Sequence, residues 1–183
     1  RWEGFCGLGM HLCVDGFRAL YCLIASLMWM MTSLFSAEYM KSYRDTGRYR
    51  FFTLLTLGAT IGVFLSADLF TVFIFFEIMS FTSYTWVAHE ETEEALRAAQ
   101  TYLAVAVIGG LVMLMGLFLL YGELGTLEFT RLTAAVKASQ MKGDGGYGRI
   151  VTGAVCLLFG FGAKAGVFPL HIWLPKAHPV APA

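Results

Sequence analysis

The chain of 183 residues has the composition of a membrane protein. Hydrophobic residues make up 57% of it and charged residues only 14%, whereas a soluble domain carries about 25% charged residues. The mean hydropathy is +0.65. Thirteen basic residues balance thirteen acidic ones, so no net charge attracts a nucleic acid. The composition therefore excludes a soluble nucleic-acid-binding protein and predicts that the main partner is lipid.

The chain ends and the cysteines limit the interpretation further. Because the sequence begins with Arg1 and stops at Pro182-Ala183, we interpret it as an internal fragment. Its first apolar stretch begins near residue 19, which is too late and too long for a signal peptide. The cysteines form no CxxC pair, so neither a metal site nor any other cofactor is expected in this chain. They are Cys6, Cys13, Cys22 and Cys156.

Five stretches of low charge are long enough, or nearly so, to cross a bilayer. A transmembrane helix needs about 20 apolar residues to span a hydrocarbon core about 30 Å thick. The five stretches are 19–37, 51–67, 69–88, 98–122 and 150 to about 170. The sequence therefore predicts an all-α fold. It is a polytopic bundle of about five transmembrane helices, within a single partial membrane domain that occupies residues 1–183.

The basic residues of the short loops predict the orientation of the bundle. The loop after the first span holds Lys41, Arg44, Arg48 and Arg50, whereas the short connection at Asp68, on the other side, holds none. The positive-inside rule places the basic loop in the cytoplasm. We therefore expect a multi-pass protein of the cell inner (plasma) membrane.

Two segments outside the spans show helix signals. The predicted extramembrane loop 123–149 contains TLEFTRLTAAVKASQ, whose near-helical apolar spacing indicates an amphipathic helix at the membrane interface, followed by the turn-rich KGDGGYG. The run HEETEEALR, between the third and fourth spans, is typical of a solvated helix start. Thr92 is its expected cap, and an acidic first turn follows.

Glu77 is the first candidate functional residue. It lies about 12 Å along the third span, near the middle of the bilayer. An ionisable side chain there costs roughly 2.5 to 3.5 kcal/mol, so it persists where it faces a partner or a hydrated cavity. The functional interpretation is an ion carrier. The alternative is a protonated glutamate that hydrogen-bonds a neighbouring helix.

Lys164 is the second candidate. It lies in GFGAKAGVFP, where three glycines and Pro169 surround it. Such residues interrupt a membrane helix, which is tolerated where the freed backbone is buried in protein or lines a water-filled cavity. Broken helices with a charge beside the break recur at the ion sites of transporters. The sequence therefore predicts that the last helix is discontinuous, the alternative being a lysine that extends to the interface from a shorter span.

Together, Glu77 and Lys164 suggest a coupled pair. Two opposite charges in a medium of low dielectric constant favour each other's charged form, so separating them would release a proton from one and load the other. His171 could relay protons from the broken helix, and His178 is a weaker candidate for the same role. The alternative for both histidines is a polar anchor near the membrane interface.

The last apolar stretch also carries a resemblance to a known family. The run FGFGAKAGVFPLHIWLPKAHPVAPA resembles the signature of the antiporter-like subunits of respiratory complex I, membrane-bound hydrogenases and the multi-subunit Mrp sodium/proton antiporters. The upstream run DLFTVFIFFEIMSFTSY is similar to the glutamate-bearing helix of that family, and VDGF and SAEYM fit the helix before it. The resemblance covers nearly the whole chain, which would be less than half of a typical subunit.

This resemblance implies a fold and roles for individual residues. It implies antiparallel helices in two inverted repeats, of which the chain holds most of the first and the helix that precedes it. Glu77 falls at the key glutamate of the family and Lys164 at the lysine of its discontinuous helix. His171 and Lys176 match positions in the PLHxWLPxAH stretch.

Several functions remain open at this point. The leading one is proton translocation coupled to electron transfer in partner subunits of an NADH:quinone oxidoreductase or a hydrogenase, with no redox centre in this chain. The alternative is Mrp-type exchange of sodium for protons, driven by an ion gradient. A membrane subunit with only a structural role is disfavoured by the two intramembrane charges. The expected partners are lipid, other membrane subunits, and protons or sodium ions, but no nucleic acid.

Overall fold

A computed structural model of the chain describes residues 9–43, 45–142 and 146–181. Within these ranges the regular elements are helices, and β pairing is limited to isolated bridges. The expectations for Cys6, for Arg44, for residues 143–145 of the KGDGGYG connector and for the two chain ends lie outside the described residues. The helices are α1 (Gly16–Tyr39), α2 (Thr46–Leu65), α3 (Leu69–Val87), α4 (Glu93–Leu124), α5 (Phe129–Lys142), α6 (Gly146–Ala165) and α7 (Leu174–Ala177).

Side-chain caps mark the starts of α1 and α4. The Asp15 carboxylate accepts a hydrogen bond from the backbone N–H of Arg18 at 2.8 Å, which begins α1. At α4, the expected cap at Thr92 is confirmed, since its hydroxyl accepts from the N–H of Ala95 at 3.1 Å. Two glutamates follow in the first turn of α4, where the positive end of the helix dipole favours them.

Within the described residues, four regions are long and apolar enough to cross a membrane: α1, α3, α4 and Gly146–Ala177. We expected about five spans, so the number differs by one. The helix outside this set is α2, which has 20 residues. Its first turns contain Arg48 and Arg50, and these charges lower its mean hydropathy. The all-helical membrane bundle is confirmed.

Close helix packing depends on glycines in α4 and α6. A Cβ atom at Gly116 of α4 would lie 2.7 Å from the carbonyl oxygen of Gly153, and one at Gly160 of α6 would lie 2.9 Å from that of Gly109. Small residues allow membrane helices to approach closely, so that their backbones are in van der Waals contact. Helices α4 and α6 are therefore in close contact, and α3 packs against them. On the other side of α3, Thr56 of α2 donates a hydrogen bond to Thr82 at 2.8 Å.

The connections meet at two opposite ends of the bundle. At the end we call the basic end, Tyr43 and the start of α2 lie against the segment 88–92. The Arg48 guanidinium pairs with Glu91 and donates to the carbonyl oxygen of His89 at 2.8 Å. At the other, which we call the bridged end, isolated β bridges join Leu12 to Ser66 and Asp68 to Glu128. The loops therefore alternate between the two ends, as an antiparallel bundle requires.

The last membrane region is discontinuous, as predicted. Helix α6 ends at Ala165, and Gly166 adopts a left-handed φ of 69°. The chain then leaves the helix until a 3₁₀ turn at Leu170–Trp173, which leads into α7. Lys164 lies in the last turn of α6. The break therefore follows the lysine directly.

The predicted loop 123–149 contains the expected helix, α5. The structure shortens the connection, because α4 continues to Leu124 and α6 already begins at Gly146. The carboxylate of Glu123 accepts a hydrogen bond from Ser139 at 2.9 Å, which ties α5 to the end of α4. The location of α5 at a membrane interface stays a prediction.

Candidate ion-translocation site

Glu77 lies in the middle of α3, half-buried, with its carboxylate against α4. A Cβ atom at Gly110 of α4 would lie 2.6 Å from Oε1 of Glu77. The carboxylate therefore occupies space that Gly110 leaves open. The surroundings of this carboxylate, within the described ranges, supply burial and the charge of Lys164 but no hydrogen-bond donor. Glu77 is thus a partly desolvated acid beside a helix backbone.

Lys164 extends from the last turn of α6 toward α3 and α4. Its ammonium donates to the hydroxyl oxygen of Tyr102 at 2.6 Å and to that of Ser80 at 3.2 Å. The ammonium nitrogen also lies 5.2 Å from the centroid of the Tyr102 ring, within the range of a cation–π interaction. The partners of this cation are therefore neutral oxygens and an aromatic face.

The two predicted charges, Glu77 of α3 and Lys164 of α6, are neighbours. Ser80 follows Glu77 by three positions, so the two side chains lie on the same face one turn apart. Lys164 contacts Ser80, and its charge interacts electrostatically with that of Glu77. In the part of the chain that the structure describes, however, no ion pair joins them directly. The structure brings Glu77 and Lys164 together, while their coupling in proton transfer stays a prediction.

A cavity of about 450 Å³ adjoins the Lys164 side chain. Tyr102, Trp86, Trp173 and His178 contribute to its walls. The indole N–H of Trp86 is buried and, among the described residues, has no hydrogen-bond partner. Because α7 and the end of α3 border it, the cavity lies on the basic-end side of Lys164. It can hold water molecules that hydrate the ammonium.

A second cavity of about 580 Å³ lies at the basic end. It is lined by the acidic first turn of α4, by Arg97 and Thr101 on the same helix, and by Lys176 of α7. The buried Ala98 and Ala177 pack together in one cluster beside it. The HEETEEALR run and Lys176 therefore share a surface of mixed charge.

His171 and His178 occupy different surroundings. His171 lies in the 3₁₀ turn after the break, with its ring 5.5 Å from that of Phe168. Its Nδ1 atom is buried and has no partner within the described ranges. The lining of the Lys164 cavity includes His178 rather than His171. The structure thus places the weaker candidate of the two beside the lysine, while the relay role of His171 stays a prediction.

Three residues around the lysine, Ser80, Tyr102 and Trp86, were not predicted from the sequence. A signal existed for Ser80, which lies three positions after Glu77 and therefore on the same helix face. Neither Tyr102 nor Trp86 has such a signal, since aromatic residues with polar groups are common in membrane helices. Their proximity to Lys164 arises from the packing of α3 and α4 against α6.

The described residues contain no group of three or more His, Cys, Asp or Glu side chains arranged to hold a metal ion. The cysteines among them, Cys13, Cys22 and Cys156, are free thiols. The groups at the site that can exchange protons include the Glu77 acid, the Lys164 amine and the hydroxyls of Ser80 and Tyr102.

Residues 66–183 match the family described as NADH:quinone oxidoreductase/Mrp antiporter, TM. The matched region contains Glu77, Lys164 and the helix break, and it is more than half of the chain. The chain belongs to this family. The resemblance to antiporter-like subunits is therefore confirmed.

Curated relatives come from two kinds of protein. The chain is 31% identical to hydrogenase-4 component B of Escherichia coli, over 95% of the chain and 25% of that protein. It is 30% identical to a Na(+)/H(+) antiporter protein of Bacillus subtilis, over 96% of the chain and 34% of that protein. The chain thus spans a quarter to a third of the length of these relatives.

Solved structures of two complexes share the fold. An archaeal respiratory membrane complex, the membrane-bound sulfane sulfur reductase, matches with a TM-score of 0.84 and 27% identity, over 99% of this chain and 35% of its own. The Mrp complex of Dietzia sp. matches with a TM-score of 0.79 and 27% identity, over 96% and 32%. The arrangement of helices described above is therefore the arrangement found in this family.

Proposed function

We propose that the chain is part of an antiporter-like membrane subunit that moves protons across the membrane, coupled to electron transfer in partner subunits. The observation that carries this proposal is the position of Lys164, in the last turn of α6 before the helix break. Its ammonium contacts Tyr102 of α4 and Ser80 of α3, and Ser80 lies one helical turn from Glu77. Two opposite charges are costly inside a membrane helix bundle, so their presence supports a role in ion movement.

The geometry supports a mechanism with two positions for the lysine. In one position its ammonium rests on the hydroxyls of Tyr102 and Ser80, and in the other it would pair with the carboxylate of Glu77. Pairing would stabilise both charges, whereas separation would leave each ready to exchange a proton with water. The cavity beside Lys164 supplies that water on the basic-end side. A change in the partner subunits that shifts Lys164 between these positions would drive protons through the site.

A second candidate function is exchange of sodium for protons, driven by an ion gradient. It is favoured by the 30% identity with the Na(+)/H(+) antiporter protein of Bacillus subtilis and by the similarity to the Mrp complex. The same carboxylate and lysine would serve it, since an acid that binds a proton can bind a cation when deprotonated. The two functions differ in what drives the lysine, namely redox chemistry in a partner or the sodium gradient itself.

The membrane and the partners follow from the same comparisons. The similar solved structures are complexes, and we propose that this chain likewise works with other membrane subunits. Its bacterial relatives and apolar helices support the cell inner (plasma) membrane as its location. The basic end then faces the cytoplasm, in keeping with the positive-inside rule.

The test is ion transport in everted membrane vesicles that contain the protein in its complex. In one arm a reductant is added and acidification of the lumen is followed with a fluorescent amine. In the other arm sodium chloride is added to vesicles with an existing pH gradient, and dissipation of that gradient is followed. Glu77→Gln and Lys164→Ala should abolish the response that the parent protein shows. Insertion should survive, since each change removes a charge from an apolar helix.

The matched controls are Glu38→Gln and Lys41→Ala, which make the same changes in an exposed ion pair at the end of α1. These variants should transport as the parent does. A response to reductant supports redox-coupled pumping, and a response to sodium alone supports the antiporter function. If Glu77→Gln and Lys164→Ala are present in normal amounts and transport at the parental rate, the proposed function is wrong.

A further inference from the structure

We propose that Tyr102 and Ser80 form a hydroxyl clamp that holds the protonated form of Lys164 away from Glu77, and that Tyr102 is the main positioning residue. This inference rests on the proposed function, because it assigns a role to residues around the same lysine. The clamp consists of the Tyr102 and Ser80 hydroxyl oxygens, 2.6 Å and 3.2 Å from the Lys164 nitrogen.

The two hydroxyl protons are already in use. The Tyr102 hydroxyl donates to the backbone carbonyl oxygen of Ser80 at 3.1 Å, and the Ser80 hydroxyl donates to that of Phe76 at 2.9 Å. A hydroxyl has one proton and two acceptor lone pairs. Both oxygens therefore present lone pairs to Lys164. They are fixed as acceptors, which suits an ammonium group that has three protons to donate.

The clamp is rigid because its parts are buried and packed. Tyr102 is 3% exposed and Ser80 is 4% exposed. The Tyr102 ring packs edge-on against Trp173, with 5.0 Å between centroids, and the Trp173 indole donates to the Ala163 carbonyl oxygen at 2.9 Å. Trp173 belongs to the 3₁₀ turn after the break. The position of the clamp is therefore coupled to the broken segment, and a movement of that segment would move Tyr102.

The Lys164 ammonium has two alternative partners, the clamp hydroxyls and the Glu77 carboxylate. The hydroxyl oxygens stabilise the ammonium by charge-assisted hydrogen bonds but bring no negative charge of their own. Glu77, one turn away on α3, brings the charge but, among the described residues, makes no ion pair with Lys164. Without the clamp, the ammonium would be free to move onto the carboxylate. The clamp therefore keeps the two carriers apart in this conformation.

Removal of the clamp should change the pH dependence of transport. Within the described residues, the titratable groups that face Lys164 are Glu77 from α3, Tyr102 from α4 and His178 from the segment after the break. Tyr102→Phe removes one acceptor and keeps the ring, its contact with Trp173 and its face toward the ammonium. The ammonium should then move onto the Glu77 carboxylate, whose negative charge stabilises the protonated lysine more than a neutral hydroxyl does. The alkaline limit of transport should therefore move to higher pH by about one pH unit.

The experiment measures transport against pH in everted vesicles that contain the complete complex. The variants are Tyr102→Phe and Ser80→Ala, and the matched control is Tyr121→Phe, which removes a tyrosine hydroxyl farther along the same helix. Tyr102→Phe should shift the alkaline limit most, and Ser80→Ala should shift it in the same direction but less, because its contact with the ammonium is longer. Tyr121→Phe should leave the profile unchanged.

Each outcome decides the proposal. An unchanged profile for both clamp variants, or an equal shift in Tyr121→Phe, overturns it. If Tyr102→Phe fails to assemble, the shift or its absence in Ser80→Ala decides alone. Glu77→Gln and Lys164→Ala are measured alongside. If these two transport normally, the proposed function fails, whereas if they are inactive and the clamp variants keep the parental profile, the clamp alone is wrong.

Discussion

Two carboxylates associated with the same helix have opposite surroundings. Asp68, which caps α3 at the bridged end, is 3% exposed and has several partners. One oxygen accepts from the N–H of Thr71 at 2.8 Å, and the other accepts from the Thr71 hydroxyl at 2.7 Å and lies 3.0 Å from Nδ1 of His11. Glu77, more than two turns further along, has no hydrogen-bond donor among the described residues.

The difference indicates which carboxylate is structural and which is free to act. A buried charge with several hydrogen bonds is fixed, because any movement leaves donors unpaired. Asp68 begins a helix and joins the segment before α1 to it. The half-buried Glu77 carboxylate has no such donors among the described residues, and in the proposed function its partner is Lys164. Asp68 should therefore matter for stability and Glu77 for transport, and three substitutions test this division.

The largest effect on stability is expected for Asp68→Ala. It removes the cap of α3 and leaves the donors of Thr71 and His11 without an acceptor, which should cost about 2 to 4 kcal/mol. Transport per folded molecule should remain, since Asp68 lies at the end of the bundle away from Lys164. The measurements are thermal unfolding of the purified complex in detergent and transport normalised to folded protein.

The control for this substitution is Asp15→Ala, because Asp15 caps α1 in the same way but is exposed. Its loss of stability should be smaller, about 0.5 to 1 kcal/mol. Equal losses for the two variants would contradict the fixed role of Asp68. A loss of transport in folded Asp68→Ala protein would contradict the division between the two carboxylates.

A smaller effect, on transport, is expected for Gly110→Ala. The new methyl group would lie 2.6 Å from Oε1 of Glu77, so the carboxylate must move away from α4. Overpacking of this kind costs about 1 to 3 kcal/mol, and we expect transport to fall by about tenfold. The initial rate in everted vesicles measures it.

Gly122→Ala on the same helix is the matched control, because a Cβ atom there has no neighbour within 4 Å. It should transport as the parent does. Parental rates for Gly110→Ala would show that the position of the Glu77 carboxylate against α4 is unimportant.

The smallest effect is expected at the basic end, for Glu91→Gln. The hydrogen bond and charge of Arg48 lower the pKa of Glu91 below its usual 4.5. A carboxyl whose pKa is lowered on folding contributes stability above its unfolded pKa and loses it as the pH falls through the folded value. Because Glu91 is exposed, this contribution is small and screened by salt.

The check is the melting temperature of the parent and the variant from about pH 7 to about pH 3. The parent should be slightly more stable at neutral pH, and the two curves should meet once the carboxyl is protonated. A difference that persists at acid pH would show that Glu91 acts through packing rather than charge. Transport by Glu91→Gln should equal that of the parent, since in the proposed function the acting acid is Glu77.

Much of the fold was predictable because the membrane imposes simple rules. Runs without charge located the long helices, and the glycines and Pro169 located the break after Lys164, since a chain in lipid must form helix or bury its free backbone. Thr92 indicated the start of α4. The number of spans was less certain, because Arg48 and Arg50 lie inside α2 instead of before it.

The candidate site was only half predictable. Glu77 and Lys164 could be identified because a charge in an apolar stretch needs a reason. Their surroundings could not, since the hydroxyls that hold Lys164 lie 62 and 84 residues away from it in sequence. Nor could sequence alone separate His171 from His178, because the direction of each ring depends on how the chain turns after Gly166.

From the sequence alone, a helical membrane protein could be derived, with an acid and an amine in its apolar stretches and a broken last helix. These features follow from local composition, because the cost of a charge or of an unpaired backbone group in lipid does not depend on which helices pack together. The folded arrangement adds that the amine rests on Tyr102 and Ser80, that the acid lies against Gly110, and that His11 contacts Asp68. Such contacts depend on the register between helices. That register is set by contacts between segments, such as the glycine contacts of α4 with α6, and no single segment encodes it.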